Sequence, residues 1–103
     1  MSTGSRMIVS ERETEKGLLV TVCDADVLGE TFEEGELSLT VTEEFYGGDE
    51  VDEGAVVDSL ARATIANIVG TRAVDLAIEA DVIDEECVLE LGATRHAQLL
   101  RLY

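Results

Sequence analysis

Asp52-Glu53-Gly54-Ala55-Val56-Val57-Asp58-Ser59-Leu60-Ala61-Arg62-Ala63-Thr64-Ile65-Ala66-Asn67-Ile68 is the stretch where the period of this chain changes. Val56, Val57, Leu60, Ala61, Thr64, Ile65 and Ile68 recur at steps of three and four, as residues on one face of a helix do. Asp52 stands at the N-cap position. The spacing predicts a helix over about 52–68. Gly70 then ends it, and Thr71 can cap a second helix of about 72–81 with Val74, Ala77 and Ile78 on one face.

Outward from this pair the signals are those of strands. Leu18-Leu19-Val20-Thr21-Val22-Cys23 is apolar on both faces, which suits a central strand, and Met7-Ile8-Val9 reads as the start of an edge strand. Leu37-Ser38-Leu39-Thr40-Val41-Thr42 alternates, the pattern of a strand with one wet face. Phe32 and Leu37 flank Glu33-Glu34-Gly35-Glu36 as the arms of a hairpin would. Glu43–Gly48 reads as a loop. Asp84 and Glu85 mark a turn, Cys87–Leu91 reads as a strand, and Gly92 opens a last segment, 93–103, to which the pattern assigns no form. Proline is absent, so turns rest on glycine and Asx residues. Strands, two helices and a closing strand predict an α+β fold: a small mixed or antiparallel sheet with a helical pair packed on one face.

At 103 residues the chain is long enough for one core. Residues 1–17 are expected to be an N-terminal extension, partly flexible, and residues 18–103 a single globular α+β domain. No apolar run approaches the ~18–20 residues that span a bilayer, so no membrane partner is expected. Met1–Arg6 lacks the apolar core of a secretion signal, and the expected compartment is the cytoplasm. The pattern carries no signal for oligomeric state.

Charge is the loudest feature: 23 acidic residues against 7 basic ones, net −16, with Lys16 the single lysine. Self-repulsion at this charge opposes a compact state in dilute buffer, and molar salt, with a Debye length of about 3 Å, removes most of it. The composition therefore points to a halophile with a salty cytoplasm. In such a cell an acidic total does not exclude RNA as a partner, because the distribution of charge decides.

Three groups of residues carry candidate chemistry. The acidic turns, Glu33, Glu34 and Glu36, then Glu43, Glu44, Asp49, Glu50, Asp52 and Glu53, offer oxygens to a hard cation. They contain no D-x-D-x-D-G loop and match the chain's general acidity, so no metal site is assigned. Gly70-Thr71-Arg72, at the second helix start, can turn backbone N–H groups and a guanidinium toward an anion; equally, Gly70 can be a C-cap and Arg72 the partner of a carboxylate. Neither G-x-x-x-x-G-K-[ST] nor G-x-G-x-x-G occurs, and no cofactor is expected. Lastly, every carboxylate side chain lies between Glu11 and Glu90, while Leu91–Tyr103 holds Arg95, His96, Arg101 and Tyr103. That end could meet phosphates and stack on a base, or pack through Leu99, Leu100 and Leu102. His96 has no Ser or Cys at triad spacing, and Cys23 and Cys87, far apart and in apolar runs, are expected to be buried free thiols.

Val20–Asp24, Leu28–Gly35, Glu43–Gly48, Ala63–Gly70 and Gly92–Gln98 together resemble an archaeal family catalogued as domain of unknown function 424. The resemblance covers about residues 18–98 and implies a small archaeal protein described as RNA-binding, with no enzymatic activity attached. The family's closing motif, Gly-Val-Pro-His-Ala, is matched here by Gly92-Ala93-Thr94-Arg95-His96-Ala97, without the proline and with one more residue before the histidine. Three functional expectations follow. The first is a non-enzymatic RNA-binding or ribosome- and translation-associated module, with Gly70, Thr71, Arg72, Arg95, His96 and Arg101 as its nucleic-acid contacts and Tyr46 or Tyr103 available to stack. The second is a protein–protein adaptor engaging a basic partner through acidic loops. The third is a small enzyme using His96 near Cys23 or Asp24.

Overall fold

The computed structural model describes residues 6–101. Eight strands and three helices follow in the order β1 (Met7–Thr14), β2 (Gly17–Asp24), β3 (Thr31–Glu34), β4 (Leu37–Thr40), α1 (Glu43–Tyr46), β5 (Asp49–Val51), α2 (Glu53–Arg62), β6 (Ile65–Val69), α3 (Thr71–Glu79), β7 (Leu89–Leu91) and β8 (Thr94–Leu100). Six of the strands form one mixed sheet in the order β5-β1-β2-β6-β8-β7, and β3 and β4 form a separate hairpin. Only β2 and β6 run parallel; every other pairing is antiparallel. The fold is α+β, with α2 and α3 on one face.

The helix expected over 52–68 is two elements. Asp52 does cap α2, its side chain accepting from Ala55 N at 3.0 Å, but the helix stops at Arg62 and Ile65–Val69 is a central strand. Ile65 and Ile68 sit three apart in sequence, which imitates a helical stripe. Their pairing with Leu19 and Val22 of β2 puts them on opposite faces of the sheet instead. The C-terminal end of β6 is covered on both sides, Ile68 beneath the helices and Val69 beneath the hairpin, so it carries apolar residues side by side and loses the alternation that would mark it. β8 is left unassigned for another reason: Arg95, His96 and Gln98 interrupt its apolar residues, so it shows no clean period.

Other boundaries also differ. Glu43–Tyr46, read as a loop, is one helical turn capped by Thr42. The strand expected from Cys87 begins at Leu89, after a 3-10 turn over Glu85–Cys87. Met7–Thr14, within the expected N-terminal extension, pairs along its whole length with β2, and Met7 is fully buried. It is an inner strand, because β5 closes the edge beyond it.

The sheet has two distinct faces. On the helix face Met7, Val9, Val20, Val22, Ala66, Ile68 and Ala97 pack against Val56 and Leu60 of α2 and Ala73, Val74 and Ala77 of α3. On the hairpin face Ile8, Cys23 and Val69 pack against Val41, Tyr46, Phe32, Leu39 and Phe45. These covering residues lie over the C-terminal ends of β2 and β6. The other half of the hairpin face has no layer above it among the described residues.

Candidate functional site

The cross-strand register builds the open half row by row. Arg12, Leu19, Ile65 and Leu100 form one row, and Ser10, Thr21, Asn67 and Gln98 the next; within it Thr21 is buried beneath α1, its hydroxyl donating to the Phe45 carbonyl at 3.3 Å, so the open surface lies on β6 and β8. The third row is Ile8, Cys23, Val69, His96 and Leu89; the hairpin covers Ile8, Cys23 and Val69, and its Glu34 carboxylate reaches the β7–β8 turn, accepting from Gly92 N at 3.0 Å. Asn67 and Gln98 are joined, Gln98 Nε2 donating to Asn67 Oδ1 at 2.7 Å. Leu19, Ile65 and His96 are half-buried, and Gln98, Leu89 and Leu100 are exposed. At the β1 border Arg12 lies with its guanidinium carbon 5.6 Å from the centre of the Phe45 ring and donates to the Glu44 carbonyl at 2.5 Å.

This surface holds no carboxylate from β1, β2, β6, β7 or β8. Those strands contain Glu11, Glu13, Asp24 and Glu90, and the register sends all four to the helix side. There Glu11 binds Arg62 at 2.6 Å and Ser59, and its carboxyl is held below its ordinary pKa, chiefly by the Arg62 hydrogen bond and then by Ser59. Glu90 meets Arg95 at 3.3 Å. In a chain of net −16, β1, β2, β6, β7 and β8 are sorted by charge, with acids toward the helices and amides and aliphatics toward the open half; Glu50 of the edge strand β5, opposite Ile8, is the exception on the hairpin face.

The residues singled out by sequence are spread around β8 and α3 rather than gathered. Gly70 N donates to the Arg95 carbonyl at 2.9 Å, and Gly70 adopts φ +119° with no room for a Cβ, which would lie 2.5 Å from Asp24 Cγ. The first-turn amides of α3 are held by Asp24, which accepts from Arg72 N at 3.1 Å and Ala73 N at 2.9 Å. A protein carboxylate thus occupies the anion position at this helix start. Burial raises the Asp24 carboxyl above its ordinary pKa, against the lowering effect of those two bonds. The neighbouring cleft, about 260 Å³, is lined by Arg6, Asp24, Ala25, Asp26, Glu50 and Arg72. Its carboxylates outnumber its guanidiniums, which disfavours a further anion.

Arg95 lies on the helix side and binds Asp75 of α3 at 2.6 Å. Arg101 Nη1 donates to the carbonyls of Leu60, Ala61 and Ala63 and so closes the C-terminal end of α2. His96 alone of the set reaches the open half, and desolvation lowers its pKa below 6.5, so the ring is neutral at pH 7. Sequence reasoning missed Asn67 and Gln98. A polar residue in each of two strands gives no signal until the register places them side by side.

His96 and Cys23 share a row, but Val69 stands between them, and two inter-strand steps are about 9–10 Å. The Cys23 thiol is fully buried, and its pKa is pushed up to about 12 by desolvation and then by Asp24 and Asp26; a thiol so placed is a poor nucleophile. Asp24 faces the opposite side of the sheet. Cys87 is free, as expected, but exposed. Tyr46 is buried in the hairpin-face core with its ring edge-on to Phe45 and is not accessible for stacking. Tyr103 lies outside the described residues. Among the described residues no three His, Cys, Asp or Glu side chains cluster as metal ligands, and no helix is long and apolar enough to cross a membrane.

The family model described as protein of unknown function (DUF424) matches residues 11–102. The chain belongs to this family. Its match takes in the sheet from Glu11 onward, including both amides of the open half. A crystal structure of an uncharacterized conserved protein from Methanopyrus kandleri superposes with a TM-score of 0.76 at 22% identity, over 96% of each chain. At that identity the likeness shows the DUF424 fold in an archaeal protein and no more. No curated protein matches the chain.

Proposed function

We propose that this DUF424 chain is a non-catalytic RNA-binding module of a salt-rich archaeal cytoplasm, and that it takes unpaired RNA on the open half of its hairpin face. The observation that carries the reading is the charge sorting of the sheet. A protein this acidic repels a phosphate chain over most of its surface, and the region around Asn67 and Gln98 is where that repulsion is least. The amides of Asn67 and Gln98 and the neutral ring of His96 offer donors and acceptors suited to base edges and ribose hydroxyls. Leu19, Ile65 and Leu100 supply apolar contact, and Arg12 places a cation at the border. In this reading Arg72, Arg95 and Arg101 support the fold, and the nucleic-acid contacts centre on His96 and its neighbours.

The test is a titration of fluorescein-labelled single-stranded RNA of mixed sequence with wild type and Gln98→Glu at one fixed salt concentration. The substitution is close to isosteric and places one carboxylate on the open half. Binding by wild type with at least a tenfold loss in Gln98→Glu supports the reading. Equal binding by the two proteins contradicts it.

A second reading, the adaptor, has its own observation. Glu33, Glu34 and Glu36 at the hairpin turn are exposed, and Leu37 beside them is 51% exposed. An acidic tip with an apolar anchor suits a basic protein segment. Partners that co-purify after RNase treatment and are lost in Leu37→Ser would favour it.

A further inference from the structure

β7 covers only part of β8. Their register pairs Leu89 with His96, Glu90 with Arg95 and Leu91 with Thr94, while β8 runs on to Leu100. Among the described residues no strand pairs with the outer edge of residues 97–100. Two hydrogen bonds set the direction of its backbone groups: the Arg95 carbonyl accepts from Gly70 N, and Arg101 N donates to the Thr64 carbonyl. Odd-numbered residues of β8 thus turn toward β6, and Gln98 and Leu100 turn their N–H and C=O outward. An edge left open in this way is a template for another strand.

The segment that borders this edge is acidic. Residues 80–88 leave the C-terminal end of α3 and return to the start of β7. They pass beside the uncovered part of β8 on its helix side, where Val88 and Leu99 pack against one core. The segment holds Asp81, Asp84, Glu85 and Glu86 and no basic residue, and Ile78, Asp81, Ile83, Asp84 and Glu85 line a cleft of about 460 Å³. Acids are common in this chain, but here its cations are missing. α2 ends on Arg62 and has its last carbonyls bound by Arg101. α3 ends on Glu79 with no basic residue in its last turn, although the negative end of a helix favours a cation. The ion pairs among the described residues use Arg6, Arg62 and Arg95, and none reaches residues 81–86.

We infer that this edge takes an extended basic segment of another protein as an added strand. The backbone of that segment pairs with Gln98 and Leu100, and its side chains alternate between the two faces of the sheet. Residues opposite Ala97 and Leu99 fall on the helix side, where lysine or arginine meets the acids of residues 81–86 and supplies the cation that the end of α3 lacks. Residues opposite Gln98 and Leu100 fall on the open face, where aliphatic side chains cover Leu100, itself 62% exposed. Charge selects this occupant over a second copy of the chain. The chain's own edge, Ala97-Gln98-Leu99-Leu100, has no cation to offer, and pairing two copies would bring one acidic segment toward the other. The site is separate from the acidic hairpin tip and does not depend on RNA binding.

The test uses two capped peptides, one alternating lysine with valine and one alternating glutamate with valine. Each is titrated into the full chain at one fixed KCl concentration, with hydrogen exchange read at single amides. The lysine peptide is expected to bind and to slow exchange of the Gln98 and Leu100 amides about tenfold or more, and the glutamate peptide to do neither. The double substitution Asp81→Asn with Glu85→Gln is expected to weaken binding about three- to tenfold, since each exposed ion pair contributes little. Asparagine accepts the φ of +61° at Asp81, so this variant keeps the turn. Leu100→Pro, at an edge position that tolerates proline, is expected to remove the protection of Gln98. No binding of the lysine peptide at millimolar concentration overturns the inference. Binding without slowed exchange at Gln98 and Leu100 also overturns it, because the peptide then adheres through charge alone. Equal protection by both peptides, or protection that rises with protein concentration in the absence of peptide, shows an edge that does not select a basic partner and overturns it too, whether or not the variants fold.

Discussion

Gln98 and Asn67 lie side by side across β8 and β6, with Gln98 Nε2 2.7 Å from Asn67 Oδ1. This amide pair sits at the middle of the open half-face, on the side of the sheet that receives none of the carboxylates Glu11, Glu13, Asp24 and Glu90. An exposed neutral hydrogen bond contributes only about 0.5–1.5 kcal/mol. Gln98→Ala should therefore lower stability by no more than about 1 kcal/mol in urea unfolding, while weakening RNA binding severalfold. A large loss of stability would mark the pair as a fold element instead.

Asp24 caps α3 from 48 residues away in sequence, holding Arg72 N and Ala73 N. Removing an N-cap costs about 0.5–2 kcal/mol, so Asp24→Ala should lower the unfolding free energy by about 1–2 kcal/mol, and Asp24→Asn by less. Gly70→Ala meets both a positive φ and the Asp24 carboxylate and should be the more damaging change. Urea midpoints of the three variants give the order.

His96 sets a pH dependence whose sign follows from its burial. Its folded-state pKa is below 6.5 because desolvation disfavours the imidazolium, so the unfolded chain binds the proton more readily. Stability from this group is complete above pH 6.5 and is lost as pH falls through the lower folded value. The difference in unfolding free energy between wild type and His96→Gln, followed from pH 8 to 5, should shrink or reverse toward pH 5. A difference independent of pH would show the ring to be equally hydrated in both states.

Salt should act on the whole molecule. With net −16 and repulsion screened at about 3 Å in molar salt, the thermal midpoint should rise steadily from dilute buffer to molar KCl. A midpoint unchanged over that range would remove the high-salt reading.

Much of the scaffold can be read from residue order, and the places where it cannot share one physical cause. β2 is legible because six apolar or β-branched residues run together between Gly17 and Asp24. The start of α2 is legible because Asp52 is a strong cap, and the β3–β4 hairpin because its turn is Glu33-Glu34-Gly35-Glu36. β6 is misread because Ile65 and Ile68, on opposite faces of a central strand, fall by coincidence at a helical spacing. The site is less legible still. Arg72, Arg95 and Arg101 stand out in an acidic chain, but a rare cation is also what an acidic fold needs for its own capping and pairing. Arg95 on Asp75 and Arg101 on the α2 carbonyls show that use. Asn67 and Gln98, 31 residues apart, become neighbours only through the register.

The salt dependence of RNA affinity tests the central claim most directly. Each phosphate contact on a single strand contributes a slope of about −0.7 to log K against log salt. A surface that recognises unpaired RNA through amides, a neutral imidazole and aliphatic side chains, with Arg12 at its border, should bind with a shallow slope, about −1 or less in magnitude. It should keep measurable affinity in molar KCl and lose it in Gln98→Glu. A steep slope, about −3 or beyond, with Gln98→Glu indistinguishable from wild type, would place the contacts on the arginines and contradict the account.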